Sequence, residues 1–165
     1  GYYKMPDETS KTIVDGWLHT GDEGCIDNDG FLKITGRVKD LFKTSKGKYV
    51  APSPIEMKLS ENQDIEQVCL VGSGIPQPIA LVVLSEKSKL NSDQIIKDSL
   101  SNILDKVNNN LDSHEKINNI VVVQDQWTVE NKLITPTMKI KRKEIENLYI
   151  ENYNNWYIKD KVLII

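Results

Sequence analysis

The 165-residue sequence has few of the features that mark several common classes of protein. Its two cysteines, Cys25 and Cys69, lack the spacing of a metal site or a redox pair, so we expect both to be buried as small apolar residues. No apolar run approaches the roughly 18 residues of a membrane span, and the opening residues lack the apolar core of a signal peptide. A formal net charge of −3 disfavours nucleic-acid binding as the function of the whole chain.

What is present is the composition of a globular protein. Apolar side chains make up 39% of the sequence and charged side chains 27%, which is enough for one moderate core and an appendage. There is no internal repeat and no low-complexity linker. We expect a cytoplasmic location, no nucleic-acid partner and no metal bound by this chain's own residues.

Residues 1–36 have the pattern of short strands joined by tight turns. An extended segment begins near Trp17, the sequence DNDG at residues 27–30 predicts a hairpin turn, and residues 31–35 alternate apolar with polar side chains. A ribbon of this kind cannot cover both its faces alone. We therefore expect an orphan β-ribbon in this part of the chain.

From about Val38 the pattern becomes that of a compact α+β unit. A proline in the first turn predicts a helix over residues 54–59, capped by Ser53. Continuous apolar runs predict a buried hairpin of strands at 68–71 and 79–84. A helix follows Ser92, with apolar residues at helical spacing: Ile96, Leu100, Ile103, Leu104, Val107 and Leu111.

The last part of the chain predicts one more strand and one more helix. The strand covers residues 117–123, and the helix covers residues 141–149 with Ile145 and Leu148 among its apolar positions. Trp127, Trp156 and Tyr157 are expected to be core or docking residues. The predicted fold is thus a small three-stranded sheet flanked by helices.

Two segments near the start offer groups that suit a nucleotide. Asp22 follows a glycine in the sequence WLHTGD, and its carboxylate could accept two hydrogen bonds side by side, as a vicinal diol requires. Arg37, in GRVKDLFK at residues 36–43, presents a rigid fork of donors to oxygen acceptors. An ordinary turn aspartate and a solvated linker would also explain these residues.

Two further segments are rich in lysine. The loop from Lys43 to Val50 contains three lysines around Gly47, where a phosphate could approach the backbone, although a surface turn has the same composition. Near the end, Lys139 lies in PTMKIKR at residues 136–142, where a fixed cation would stabilise negative charge developing on a phosphoryl group. A solvated basic helix start is the alternative.

Together, residues 17–22, 36–43 and 136–142 resemble the last core motifs of the adenylate-forming superfamily, which includes acyl-CoA synthetases, luciferases and peptide-synthetase adenylation domains. The sequences of these three motifs are most similar to those of long-chain fatty acyl-CoA synthetases. Many members have glycine just before the motif lysine, where this chain has Met138. The family's phosphate loop and adenine-binding segment lie upstream and match nothing here, so we expect a C-terminal portion of a longer enzyme.

The resemblance implies a role for each candidate residue. Asp22 and Arg37 would contact the nucleotide, and Lys39 would be the hinge about which a lid rotates between two half-reactions. Lys43 and Gly47 would belong to the loop that enters the site in the thioester-forming state, and Lys139 would be the catalytic lysine of adenylate formation.

The resemblance also implies domains, substrates and partners. Residues 1–36 would end the large N-terminal domain as a β-barrel fragment, and residues 37–165 would form the C-terminal lid domain. The intact enzyme would use ATP, Mg²⁺ and CoA, with a fatty acid as substrate and its own upstream domain as partner. Peripheral membrane association of the parent stays open.

Two other functions remain open from the sequence. The first is a fatty acyl-AMP ligase that loads a carrier protein instead of CoA. The second is a non-enzymatic interaction module that binds phosphate-rich partners through the basic residues 139–143. In every case we expect the isolated chain to be catalytically inactive.

Overall fold

The computed structural model describes residues 1–158 and 160–165. The chain contains five α-helices within these residues: α1 (Pro6–Thr12), α2 (Pro52–Leu59), α3 (Asp93–Asn108), α4 (Arg142–Tyr149) and α5 (Tyr153–Trp156). No helix of the described residues is long and apolar enough to cross a bilayer.

The N-terminal ribbon, residues 1–37, contains α1 and two small antiparallel hairpins. Strands β1 (Ile13–Val14) and β2 (Trp17–Leu18) form the first hairpin, and β3 (Asp22–Ile26) and β4 (Leu32–Arg37) form the second. The prediction of short strands is confirmed from residue 13 onward. Helix α1, which begins at a proline and buries no side chain, was not predicted.

The predicted hairpin turn at residues 27–30 is present between β3 and β4. The Asp27 carboxylate accepts hydrogen bonds from the N–H groups of Phe31 at 2.9 Å and Asp29 at 3.1 Å. Its hydrogen bond from Phe31 is the main cause that lowers the pKa of Asp27. Gly30 has a φ of 86°, which a residue with a side chain rarely adopts.

The sheets of the C-terminal unit contain six strands. The residues of β5 (Phe42–Lys43) and β6 (Tyr49–Val50) form a separate hairpin, and the main sheet contains β7 (Ile65–Val71), β8 (Ile79–Leu84), β9 (Ile120–Val122) and β10 (Val162–Ile164). The strand order of the main sheet is β10-β9-β8-β7. Only the β7–β8 pair is antiparallel.

The predicted α+β class is confirmed, but the main sheet has four strands instead of three. The missed strand is β10, whose pairing with β9 brings the end of the chain beside Ile120. Its position is held by two polar contacts. The Lys161 ammonium pairs with Asp105 of α3 at 2.6 Å, and Asn119, which is fully buried, donates a hydrogen bond to the Trp156 carbonyl at 2.9 Å.

Two apolar layers cover the main sheet, one on each face. Along β8, Ala80, Val82 and Leu84 pack with α2 and α3, and the alternating residues Ile79, Leu81 and Val83 pack with α4 and α5. This alternation follows from the two-residue period of a strand. Trp127 and Trp156 are buried in the second layer, as predicted, and Tyr157 packs against it.

Two predicted helix boundaries and one predicted burial differ in the structure. Helix α2 begins at Pro52 with Ala51 as its N-cap, so the Ser53 cap was wrong because Pro52 already supplies the first-turn geometry. Helix α3 ends at Asn108, which leaves Leu111 outside it, although Leu111 still packs against the core. Cys69 is buried as expected, but Cys25 is exposed because nothing covers its face of the ribbon.

Candidate functional site

Asp22 and Arg37 face each other across the second hairpin of the ribbon. They are partners in the β3–β4 register, and Arg37 Nε lies 3.3 Å from Asp22 Oδ1. The turn before Asp22 is built by Gly21, with a φ of 76°, and by the Thr20 hydroxyl, which accepts the Asp22 N–H at 3.1 Å. The structure therefore brings together the two residues expected to contact a nucleotide.

Lys39 lies in a 3₁₀ turn, Val38–Asp40, that joins the ribbon to the C-terminal unit. The turn is tied to the ribbon by the Val38 N–H, which donates to the Gly21 carbonyl at 2.9 Å. Lys39 lines two clefts: one of about 770 Å³ on the ribbon side that includes Asp22, and one of about 620 Å³ on the α4 side that includes Arg142. Lys39 therefore lies between the ribbon and the C-terminal unit.

The loop expected to enter the site in the thioester-forming state is the turn of the β5–β6 hairpin. The Gly47 N–H donates to Thr44 at 2.9 Å, and Gly47 has a φ of 78°. The Ser45 N–H donates to the Ile75 carbonyl at 3.0 Å, which attaches the loop to the main unit. Lys43 Nζ lies 5.6 Å from the ring centre of Tyr49. The loop is held at its base and exposes its cations.

Lys139 is exposed at the end of a tight loop whose base is an antiparallel bridge between Ile134 and Ile140. Thr135 organises this loop. Its N–H donates to the Lys139 carbonyl at 2.8 Å, its carbonyl accepts the Met138 N–H at 2.8 Å, and its hydroxyl accepts the Lys139 N–H at 3.1 Å. The backbone of Met138 and Lys139 is therefore ordered by three hydrogen bonds to Thr135, two of them made by Lys139.

Met138 adopts a left-handed conformation with a φ of 61°. This conformation is costly for a residue with a side chain and free of strain for glycine. The local geometry thus explains physically why glycine suits the position before the lysine, and it shows that this loop tolerates methionine there.

The candidate residues do not form one site within this chain. Asp22 and Lys39 share the ribbon-side cleft, whereas Lys139 lines neither that cleft nor the one beside α4. Within residues 1–158 and 160–165, no group of three or more His, Cys, Asp or Glu side chains is arranged to hold a metal ion. The chain offers separate parts of a site.

A buried ion pair that the sequence does not reveal lies at the start of α4, three positions after Lys139. Arg142 and Glu56 approach to 2.8 Å, with side chains only 12% and 15% exposed. Glu146, one helical turn along α4, has its pKa raised by burial, an effect that the charge of Arg142 partly opposes. An isolated glutamate in α2 gives no signal in the sequence that an arginine 86 positions later will reach it.

Residues 39–161 match the family model of the AMP-binding enzyme C-terminal domain. The chain belongs to this family. The match begins within the Val38–Asp40 turn and covers β7, β8 and β9 of the main sheet and the Lys139 loop, and it agrees with the α+β architecture described above.

The relatives and solved structures that resemble the chain are much longer than it is. Long-chain-fatty-acid–CoA ligase 5 of Mus musculus is 34% identical over 95% of this chain and 26% of its own length. The adenylation domain of a carboxylate reductase from Mycobacterium chelonae superposes with a TM-score of 0.79 at 27% identity, over 95% of this chain and 26% of that one. The A-PCP didomain of carboxylic acid reductase from Segniliparus rugosus, in complex with AMP, gives 0.77 at 25% identity, over 96% and 23%.

Proposed function

We propose that this chain is the C-terminal part of an ATP-dependent fatty acyl-CoA synthetase. The parent enzyme joins a fatty acid carboxylate to AMP with release of pyrophosphate, and then transfers the acyl group to the thiol of CoA. The observation that supports this most directly is the contact between Asp22 and Arg37 near Lys39. The two side chains offer hydrogen-bonding groups for the oxygen atoms of a nucleotide, next to the proposed hinge. The similarity to the mouse long-chain ligase supports the fatty acid substrate and the CoA acceptor.

The residues of this chain would act at different stages of the reaction. Asp22 accepts hydrogen bonds from ribose hydroxyls, and Arg37 contacts the same nucleotide. Lys139 stabilises the charge that builds on the α-phosphate oxygens as the carboxylate attacks. Lys43 and Gly47 border the CoA channel once the lid has turned about Lys39. Mg²⁺ accompanies ATP in this proposal, with its protein contacts mostly in the upstream part of the parent.

A different acyl acceptor is the second candidate. Two structures that superpose well on this chain come from carboxylate reductases, and one of them is a didomain with a carrier domain. Adenylation followed by transfer to a carrier protein is therefore the alternative second step. The first half-reaction is the same in both cases.

Product analysis with the parent protein tests the proposal. Incubation with ATP, Mg²⁺, a long-chain fatty acid and CoA should yield AMP, pyrophosphate and acyl-CoA, which mass spectrometry identifies. Acyl-AMP that accumulates in the presence of CoA would favour a carrier protein as acceptor, and no AMP formation with any carboxylic acid would contradict both candidates. The isolated chain should show no pyrophosphate exchange above background, because it lacks groups that hold the triphosphate and the acyl chain in line.

The remaining expectations concern the surroundings of the parent enzyme. Its upstream domain is the proposed partner of this chain, since the chain spans only 26% of the mouse relative. A cytoplasmic location and a peripheral membrane association of the parent stay predictions. Fractionation of the parent from cells into soluble and membrane pools measures both.

A further inference from the structure

The edge of the main sheet is covered by an ion pair. Strand β7 is one of the two edge strands of this sheet, and at Leu70 its N–H and carbonyl point away from β8. The N–H donates to Glu56 Oε1 at 2.6 Å, and the carbonyl accepts from Arg142 NH1 at 2.6 Å. A buried strand edge must have its polar groups paired, and here side chains of α2 and α4 do so.

Arg142 connects three elements at once. Its NH1 and NH2 both reach the Glu56 carboxylate, at 2.8 and 2.9 Å, so the guanidinium and the carboxylate interact through two contacts. NH1 also lies 3.3 Å from Cys69 Sγ. This two-point contact fixes the orientation of the arginine as well as its distance, which a lysine ammonium could not do.

Arg142 is also joined to the segment that presents Lys139. It is the first residue of α4 and follows Lys139 by three positions. Between them, the Lys141 N–H donates to the Leu133 carbonyl at 2.9 Å and closes the base of the loop. The loop backbone is therefore held on one side by Leu133 and on the other by the buried arginine.

The same arginine faces the hinge. It lines the cleft of about 620 Å³ together with Lys39 and Asp40. Burial acts to lower the pKa of the guanidinium, but the neighbouring Cys69, Glu56 and Asp40 raise the pKa overall, so the group stays charged. The pivot segment and the start of α4 are thus parts of one local structure.

We propose that Arg142 is a positioning residue for adenylate formation, which fixes the Lys139 loop to the body of the lid through Glu56 and the edge of β7. The inference rests on the proposed function, in which Lys139 acts in the first half-reaction. Because the Arg142 side chain is only 12% exposed and its guanidinium is held by Glu56 and the Leu70 carbonyl, it acts through the loop and touches no substrate. A displacement of about 1 Å at a catalytic group is enough to lower a rate on the order of 100-fold.

Two substitutions in the parent enzyme separate positioning from general stability. Arg142→Met removes both contacts, and we expect adenylate formation to slow on the order of 10- to 100-fold at saturating ATP, with the KM for ATP within about threefold of normal. Arg142→Lys keeps the charge and one donor for the Leu70 carbonyl but cannot contact both carboxylate oxygens in the same way. We expect it to slow the same step about three- to tenfold.

The second half-reaction supplies the decisive comparison. Thioester formation from supplied acyl-adenylate should stay within about twofold of normal in both variants, because Lys139 is not used there. Lys106→Met is the matched control, since it breaks an exposed pair with Glu61 at 3.1 Å, and it should leave both steps within about twofold of normal.

The results distinguish three cases. A selective loss of adenylation in both Arg142 variants supports the positioning role. Equal loss of both half-reactions in Arg142→Lys, or unchanged adenylation in that variant while its thermal melting stays normal, overturns it, even where Arg142→Met fails to fold. A parent enzyme that forms no acyl-AMP before any substitution would instead remove the proposed function.

Discussion

Similar apolar side chains are exposed in the ribbon and buried in the C-terminal unit. Leu32 in β4 is 68% exposed, whereas Leu100 in α3 is fully buried. Both lie in amphipathic elements with a clear apolar face. The difference is that the main sheet has helices packed on both of its faces, while each ribbon hairpin has only two strands, and the contacts of the second hairpin with α2 leave Leu32 exposed. An apolar pattern determines which face of an element can be buried, and neighbouring elements determine whether that face is covered.

This contrast has a consequence for the parent protein. The ribbon exposes a set of large apolar side chains that a soluble surface rarely presents together: Trp17, Leu18, Ile26, Phe31, Leu32 and Ile34. The C-terminal unit leaves no comparable face of its main sheet uncovered. We infer that the ribbon packs on upstream residues of the parent and that the C-terminal unit keeps its own core. The division at residues 36 and 37 stays a prediction.

The largest expected effect concerns Lys139, the proposed catalytic residue, which lies in the C-terminal unit. Lys139→Ala in the parent should slow acyl-AMP formation by about 100- to 1,000-fold, because one preorganised electrostatic contact is worth about 3–4 kcal/mol in the transition state. Thioester formation from supplied acyl-adenylate should stay within about tenfold of normal. Rapid-quench measurement of each half-reaction gives both rates.

Lys141→Ala is the control for Lys139. Its backbone closes the base of the loop through Leu133, and alanine preserves that hydrogen bond. We expect little change in either half-reaction. A greater loss of adenylation in Lys141→Ala than in Lys139→Ala would show that the catalytic role has been assigned to the wrong lysine.

The comparison of the two regions is tested most directly by stability. Leu100→Ala should lower the free energy of unfolding of the 165-residue chain by about 2–5 kcal/mol, since it leaves a cavity in a closed core. Leu32→Ala should change it by less than about 0.5 kcal/mol, because its side chain is already in solvent. Urea denaturation followed by tryptophan fluorescence measures both values. Equal losses would show that the ribbon has a core of its own.

The proposed hinge at Lys39, between the two regions, should respond to changes in backbone geometry more than to the loss of its charge. Proline fixes φ near −65°, and a hinge residue must absorb a large change in dihedral angles. Lys39→Pro in the parent should therefore slow one half-reaction at least about tenfold more than the other, whereas Lys39→Ala should leave both largely intact. Equal impairment of both steps in both variants would remove the hinge assignment.

The smallest expected effect lies within the C-terminal unit, at Glu146. Burial raises the pKa of this carboxyl above its ordinary value of 4.5. As the pH rises past that value the unfolded chain loses its proton first, so ionisation favours unfolding until the folded carboxyl also ionises. Glu146→Gln should stabilise the chain at pH 7 by about 0.5 kcal/mol or less, a value reduced for solvent screening. Thermal melting at pH 7 and pH 4 checks this, and a gain that is equal at both values would contradict it.

The parts predicted best from the sequence are those with a strong local period. Helix α3 follows from the spacing of Ile96, Leu100 and Ile103, and β8 follows from six consecutive apolar residues. The hairpin turn at Asp27 follows from residue types that suit its geometry. The motif at residues 17–22 led to Asp22, which the structure places beside Arg37.

The sequence by itself determined the α+β class, the apolar faces and the membership of the three motifs in one family pattern, because each depends on neighbouring residues. Only the tertiary structure decided that β10 joins the sheet, since a three-residue strand has too little period to stand out before its partner β9 is known. It alone also paired Glu56 with Arg142 across 86 positions. Such contacts depend on how distant elements pack, and the identity of either residue contains no information about its partner.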